Sequence, residues 1–289
     1  MTILMTGLCE KGADQIWKQC NDAMYAQGVT WLEEAAYAGD AEAWFFLGHC
    51  YSWGDGAVGF NEKKAYECYL RGASAGSARA VLGALRAGQY DEQMKQSARY
   101  SIEESYRQVR DAAEMGDVYA AWQMGEAVEW EDLADYMPKT ESAREQCLFW
   151  YERAADGGII PAMVKMGKCC QNGTYREKDE KEALRWANQC ATSGEVWGLF
   201  QMGEHYRQEE DWEAAFQYDY AAAKQGSSRA MLYLGQMYLN GQGTERDIQA
   251  AVQALEGAAA RNEAESFEEL GNLFYQDELV ERDDEKAFY

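Results

Sequence analysis

Apolar and small residues recur along this chain at intervals of three and four, and the stripe they draw is helical. Around Gly48, the residues Ala43, Leu47, Gly48 and Tyr51 set a small side chain, a large apolar one, a glycine and an aromatic on one face. The order returns with Ala162, Met166 and Gly167, then Gly198, Met202, Gly203 and Tyr206, then Ala230, Leu234, Gly235 and Tyr238. Gly48, Gly83, Gly125, Gly167, Gly203, Gly235 and Gly271 are separated by 35, 42, 42, 36, 32 and 36 residues. A near-constant period of this size predicts stacked helix pairs rather than one closed core. Glycine inside a helix costs about 1 kcal/mol relative to alanine, so close approach of a partner helix is expected to offset it.

A second pattern follows each first one: Lys-Ala, an aromatic three residues on, then Ala-Ala and a glycine. Tyr69, Gly72, Ala73 and Gly76 form one copy. Trp150, Tyr151, Ala154 and Ala155 form another, closed by either Gly157 or Gly158. Lys181, Ala183, Trp186, Cys190, Ala191 and Gly194 come next, then Ala222, Ala223 and Gly226, and finally Ala258, Ala259 and Asn262. Gly or Asn at that last place suits a left-handed helix C-cap. Pro161 suits the first turn of the helix that follows. Gly54 with Gly56, and Gly241 with Gly243, read as turns between paired helices. No Gly-Lys-Ser/Thr follows them, so they do not read as a phosphate loop.

Composition agrees with helix. Ala, Glu, Gln and Met outnumber β-branched residues, and only Pro138 and Pro161 interrupt the chain. The expected fold is an all-α, right-handed α/α solenoid of about seven helix-turn-helix repeats across residues 1–289. Residues 1–40 read as a divergent N-terminal helix pair, 41–262 as repeats and 263–289 as an incomplete terminal repeat. That last unit reaches only Lys286, Ala287, Phe288 and Tyr289, where its second helix should begin. Units two and three exceed the usual length, and the surplus is expected in inter-helix loops.

The repeats resemble the Sel-one-like repeat family, relatives of tetratricopeptide repeats. The resemblance runs from about residue 31 to the end and is followed most directly through residues 230–262. The segment AEAWFFLGHCYSWGD (41–55) is similar to a tetratricopeptide first helix. Departures include Arg86, which stands where the unit around Gly83 should carry an aromatic, and the short QEEDW connection after Gly203. The resemblance implies protein binding on a concave face lined by first helices. Matched to the tetratricopeptide pattern, the inward places hold Phe45, His49, Ser52 and Trp53 in the first full unit. They hold Trp122, Glu126, Glu129 and Trp130 in the third, and Phe200, Glu204, Arg207 and Gln208 in the fifth. The acidic run Glu126 to Asp135 around Trp130 marks the expected contact loop. Tyr51, Tyr69, Trp150, Trp186 and Tyr238 read instead as core aromatics of the repeat.

The formal net charge is −23, with a pI near 4.5. Such a chain repels nucleic acid and anionic lipid and favours a basic protein partner. No apolar run is long enough to insert in a membrane. The start MTILMTGLCEKG has neither the basic nor the apolar region of a signal peptide, so a cytoplasmic location and reduced cysteines are expected. No catalytic constellation stands out. His49 and His205 are distant in sequence, and the adjacent Cys169 and Cys170 would point about 100° apart on a helix, a poor metal geometry. No cofactor, metal site or enzyme activity is expected. Two functions fit: capture of a basic secreted toxin by an immunity protein, or a scaffold or regulatory adaptor in a signalling or envelope pathway.

Overall fold

The computed structural model describes residues 2–18, 22–54, 58–130 and 143–276. They form sixteen helices, with no strand among the described residues. Two compact units divide the chain, Met1–Ala183 and Leu184–Tyr289. The first holds α1 (Thr2–Trp17), α2 (Asp22–Tyr37), α3 (Ala41–Trp53), α4 (Glu62–Ala75), α5 (Ala78–Arg86), α6 (Glu92–Ser97), α7 (Ile102–Glu114), α8 (Val118–Glu129), α9 (Ala143–Asp156) and α10 (Ile160–Asn172). The second begins within α11 (Glu180–Thr192). It continues through α12 (Val196–Gln208), α13 (Trp212–Lys224), α14 (Ser228–Asn240), α15 (Ile248–Ala259) and α16 (Ala264–Gln276).

The ends of these helices follow from local chemistry. Asp40 and Asp117 cap α3 and α8 by accepting from two backbone N–H groups each, and Ser227 caps α14. Ser101 and Glu104 close a reciprocal capping box on α7. Gly76 ends α4 at φ 103°, its N–H returned to the carbonyls of Gly72 and Ala73. After α9 it is Gly158, at φ 92°, that turns left-handed, and Asn262 does so at φ 61° after α15. The open choice between Gly157 and Gly158 is thereby settled.

The mid-helix glycines sit where second helices press closest. A Cβ on Gly48 would lie 2.7 Å from the Tyr69 ring, and one on Gly125 2.7 Å from Tyr151. On Gly235 it would stand 2.6 Å from Leu255. The absent side chain lets a bulky residue of the partner helix lie across the first helix, which compensates the lost propensity.

Two details depart from expectation. The surplus length of the second unit of the pattern is partly helical: α6 lies between α5 and α7, capped by Asp91 and anchored by the buried Met94. The corresponding surplus of the third, including Pro138 and the acids from Glu131 to Asp135, lies outside the described residues. So do Cys20, Gly56 and the terminal Lys286 to Tyr289.

Tyr51, Tyr69, Trp150 and Trp186 are buried, and Tyr238 is half-buried against Phe216. Cys9, Cys50, Cys68, Cys147, Cys169, Cys170 and Cys190 are buried thiols outside any disulfide. Burial pushes Cys68 and Cys147 up to about 12 and Cys169 to about 11, so these pack as small apolar groups.

Candidate functional site

In the first unit the first helices of successive pairs share a face, and α1 lies against it. Trp17, at the end of α1, packs on Phe46 and His49 of α3 and on Tyr119 and Trp122 of α8, with ring centroids 5.2 to 6.2 Å apart. The Tyr119 hydroxyl donates to Asp14 at 2.6 Å. Burial and this carboxylate hold the phenol well above its usual range.

This arrangement packs part of the expected binding wall into the interior of the unit. Trp122 is only 5 % exposed because Trp17 and His49 cover it. Phe45 and His49 are buried in the same aromatic layer. All three stabilise the unit by packing; Phe45 and His49 also form part of the floor of a cleft beside Trp53, which Trp122 does not line. Trp17 carried no signal in the repeat pattern, since it belongs to the divergent helix pair that matches the repeat least.

Trp53 and Trp130 are placed differently, 49 % and 58 % exposed. The Arg86 guanidinium lies 5.1 Å from the first ring and 4.5 Å from the second. Cation–π attraction joins the three into one patch. Arg86 was visible in the sequence as the residue replacing an aromatic three places after Gly83, but that departure did not reveal its role. A cleft of about 400 Å³, counting its mouth, opens beside this patch and includes Glu126 in its wall. Glu129 points into a different network: it accepts from the Tyr151 hydroxyl at 2.8 Å and pairs with Lys165 at 2.6 Å. Ser52 lies within hydrogen-bond distance of the Tyr69 hydroxyl, at 3.2 Å.

Phe200, Glu204, Arg207 and Gln208 belong to the second unit. Phe200 and Glu204 are half-buried and Gln208 is exposed. Arg207 pairs with Asp219 of α13 and lies 3.7 Å over the Tyr233 ring. Asp219 is wholly buried, and desolvation outweighs Arg207 in pushing its carboxyl up to about 6.

Among the described residues no group of three or more His, Cys, Asp or Glu is placed to hold a metal ion. No helix among them is long and apolar enough to cross a membrane.

An array of capped helix pairs, with Gly48, Gly125 and Gly235 at close crossings, defines an α-helical repeat protein. The chain belongs to the Sel1 repeat family, whose model matches residues 23–40, 41–77, 118–159, 160–195, 228–262 and 268–289. The unmatched stretches 78–117 and 196–227 carry Arg86, Arg207 and Asp219, so these charges stand where the repeat pattern lapses. An uncharacterised protein of Neisseria meningitidis serogroup B, NMB1327, is 28 % identical over 174 residues, covering 59 % of this chain and 34 % of that protein. The chain thus spans about a third of this curated relative's length. The crystal structure of c5321, a protective antigen of uropathogenic Escherichia coli displaying an SLR fold, matches with a TM-score of 0.62 at 23 % identity. That match covers 90 % of this chain and 55 % of the other. A Sel1 repeat protein from Oxalobacter formigenes matches with a TM-score of 0.46 at 22 % identity, over 93 % and 86 % of the two chains.

Proposed function

We propose that this chain is a non-catalytic protein-binding module acting in the cytoplasm, and that it engages a basic partner through the first-helix face of its first unit. The observation that carries this reading is the Trp53–Arg86–Trp130 patch beside Glu126. Two half-exposed indoles supply area at low entropic cost, the usual composition of an interface hot spot. The net charge of −23 steers a basic protein toward the chain and opposes approach of nucleic acid. In its sharpest form, the partner is a basic secreted toxin and the chain its immunity protein.

A second observation favours the scaffold reading. Between α2, α3 and α4 lies a separate groove of about 510 Å³, counting the open solvent at its mouth, where Arg71 stacks on Trp44 and Lys64 lies over Tyr51. Tyr37, 75 % exposed, packs edge-on to Trp44 at its border. Two aromatic surfaces suit two partners.

The experiment is purification of tagged protein from its native cells at low and high salt, with identification of what co-elutes. A single basic partner, released as salt rises and lost in Trp53→Ala/Trp130→Ala, supports neutralisation. Several partners, or a neutral one retained through high salt, support the scaffold.

A further inference from the structure

We infer that the groove between α12, α14 and α16 holds an extended basic peptide segment, its main chain paired with the side-chain amides of Gln236 and Asn240. This rests on the protein-binding reading but uses a different face, within the second unit alone.

The groove is roomy, about 800 Å³ counting the open solvent at its mouth. Gln236 and Asn240 of α14 line it, as do Gln242 just beyond that helix and Glu269 of α16. Gln236 Nε2 donates to Glu269 Oε1 at 2.9 Å, which fixes the amide plane. Its Oε1 accepts from no described residue, and it is not sealed from solvent as Asp219 Oδ1 and Arg207 Nη2 are. Asn240 is exposed and Gln242 half-buried, and their side-chain amides are likewise unpaired among the described residues. An entering guest can reach all three.

Spacing selects the guest. Each side-chain amide presents one acceptor and an NH₂ donor, the complement of a peptide unit. Gln236 and Asn240 stand one turn apart on α14, about 6 Å along the axis. In an extended chain the main-chain groups of residues i and i+2 point to the same side, about 6.6 Å apart. Two amides on α14 therefore meet two main-chain groups of one segment lying along the helix. A helical guest has no such groups to offer, because its own turns use them. An apolar small molecule would bury the amides unpaired.

Charge selects the side chains. Arg207 is the cation among the lining residues, and Asp219 already pairs with it. Glu269 makes no ion pair with a described residue. Exposed Glu268 adjoins it, and exposed Glu209 and Glu210 lead into Trp212, which also lines the groove. Arg246 is committed to the Leu239 carbonyl at 3.0 Å and stands between Glu245 and Asp247 in the chain. The groove thus carries uncompensated negative charge, which favours lysine or arginine on the guest. Trp212 offers such a side chain an aromatic face in the same groove.

The test uses the full chain and three end-blocked hexapeptides: alternating Lys-Val, the same peptide with every backbone nitrogen methylated, and alternating Glu-Val. Titration calorimetry should show one saturable Lys-Val site, at least about tenfold tighter than for the methylated peptide. The Glu-Val peptide should show no saturable binding. Gln236→Leu/Asn240→Ala should weaken Lys-Val binding at least about tenfold, and Asn240→Ala alone at least about threefold, with melting profiles recorded alongside. Trp53→Ala/Trp130→Ala should leave it within about twofold. Equal affinity for the Lys-Val peptide and its methylated form, a comparison that needs no variant, overturns the inference. So does the absence of saturable Lys-Val binding, an unchanged affinity in folded Asn240→Ala, or a tenfold loss in Trp53→Ala/Trp130→Ala. If the peptides fail while partner capture still depends on Trp53 and Trp130, the groove falls and the first-unit patch stands. If Lys-Val binds as expected while capture ignores both tryptophans, the groove stands and the patch falls.

Discussion

Arg207 and Asp219 form an ion pair in the core of the second unit, with Asp219 set against Gly203 where other pairs set Tyr69, Tyr151 or Leu255 against their glycines. A charged pair thus occupies a place the repeat otherwise gives to apolar bulk. Both Asp219 Oδ1 and Arg207 Nη2 are buried without a hydrogen-bond partner among the described residues. The desolvation of two ions is only partly offset by their attraction.

Removing one partner should therefore hurt more than removing both. Asp219→Ala leaves the Arg207 charge buried and is expected to cost about 3–5 kcal/mol. Arg207→Met combined with Asp219→Leu copies the Leu255 arrangement and should leave stability unchanged or raised. Urea unfolding of the three proteins checks this, and a double variant weaker than Asp219→Ala refutes it.

The same carboxyl gives stability a pH dependence of defined sign. Its folded value, about 6, exceeds the ordinary 3.8, so folding favours the protonated form. The contribution is fully present below about 3.8 and is lost as pH rises through about 6. A shift of that size corresponds to roughly 3 kcal/mol at most. Asp219→Asn should remove this component, so the difference between its unfolding curve and that of the parent should grow between those two values. Parallel pH profiles for the two proteins would exclude the effect.

Trp17→Ala should destabilise the first unit by about 3–5 kcal/mol, as deletion of a buried aromatic does. Trp122→Ala should behave similarly, although its place in the repeat marks it for partner contact. Thermal melting decides, and an unchanged midpoint for either would mean that the shared aromatic layer does not hold α1 to α8.

Glycine replacements should divide by surroundings. Gly125→Ala drives a methyl group into the Tyr151 ring and is expected to cost about 1–3 kcal/mol, more than the propensity it gains. Gly7→Ala meets nothing within 4 Å in α1 and should stabilise by about 0.5–1 kcal/mol. Matching shifts in melting temperature would show that propensity, not packing, governs both sites.

The fold was legible because its signals are local. Period, capping residues and the mid-helix glycines each act within one helix pair, and Gly76, Gly158 and Asn262 take the left-handed caps the pattern implied. The site was less legible because it depends on which repeats meet through α1. Counting places from Gly125 puts Trp122 on the shared face correctly, but nothing in that count reveals that Trp17, over a hundred residues earlier, covers it. Trp53 and Trp130 remain open because Trp17 packs on His49 and Trp122 instead. Arg86 breaks the sequence pattern, but its place between two indoles depends on how α3, α5 and α8 meet.

The bond from Tyr119 to Asp14 spans 105 residues. In an ideal helical array each repeat touches only its neighbours, so folding can start anywhere and spread like a zipper. Here the first helix must wait for the eighth before either is complete. The loop between them has to close against chain entropy before the aromatic layer rewards it. The stretch from α1 to α8 should therefore melt as one block rather than fray helix by helix from α1.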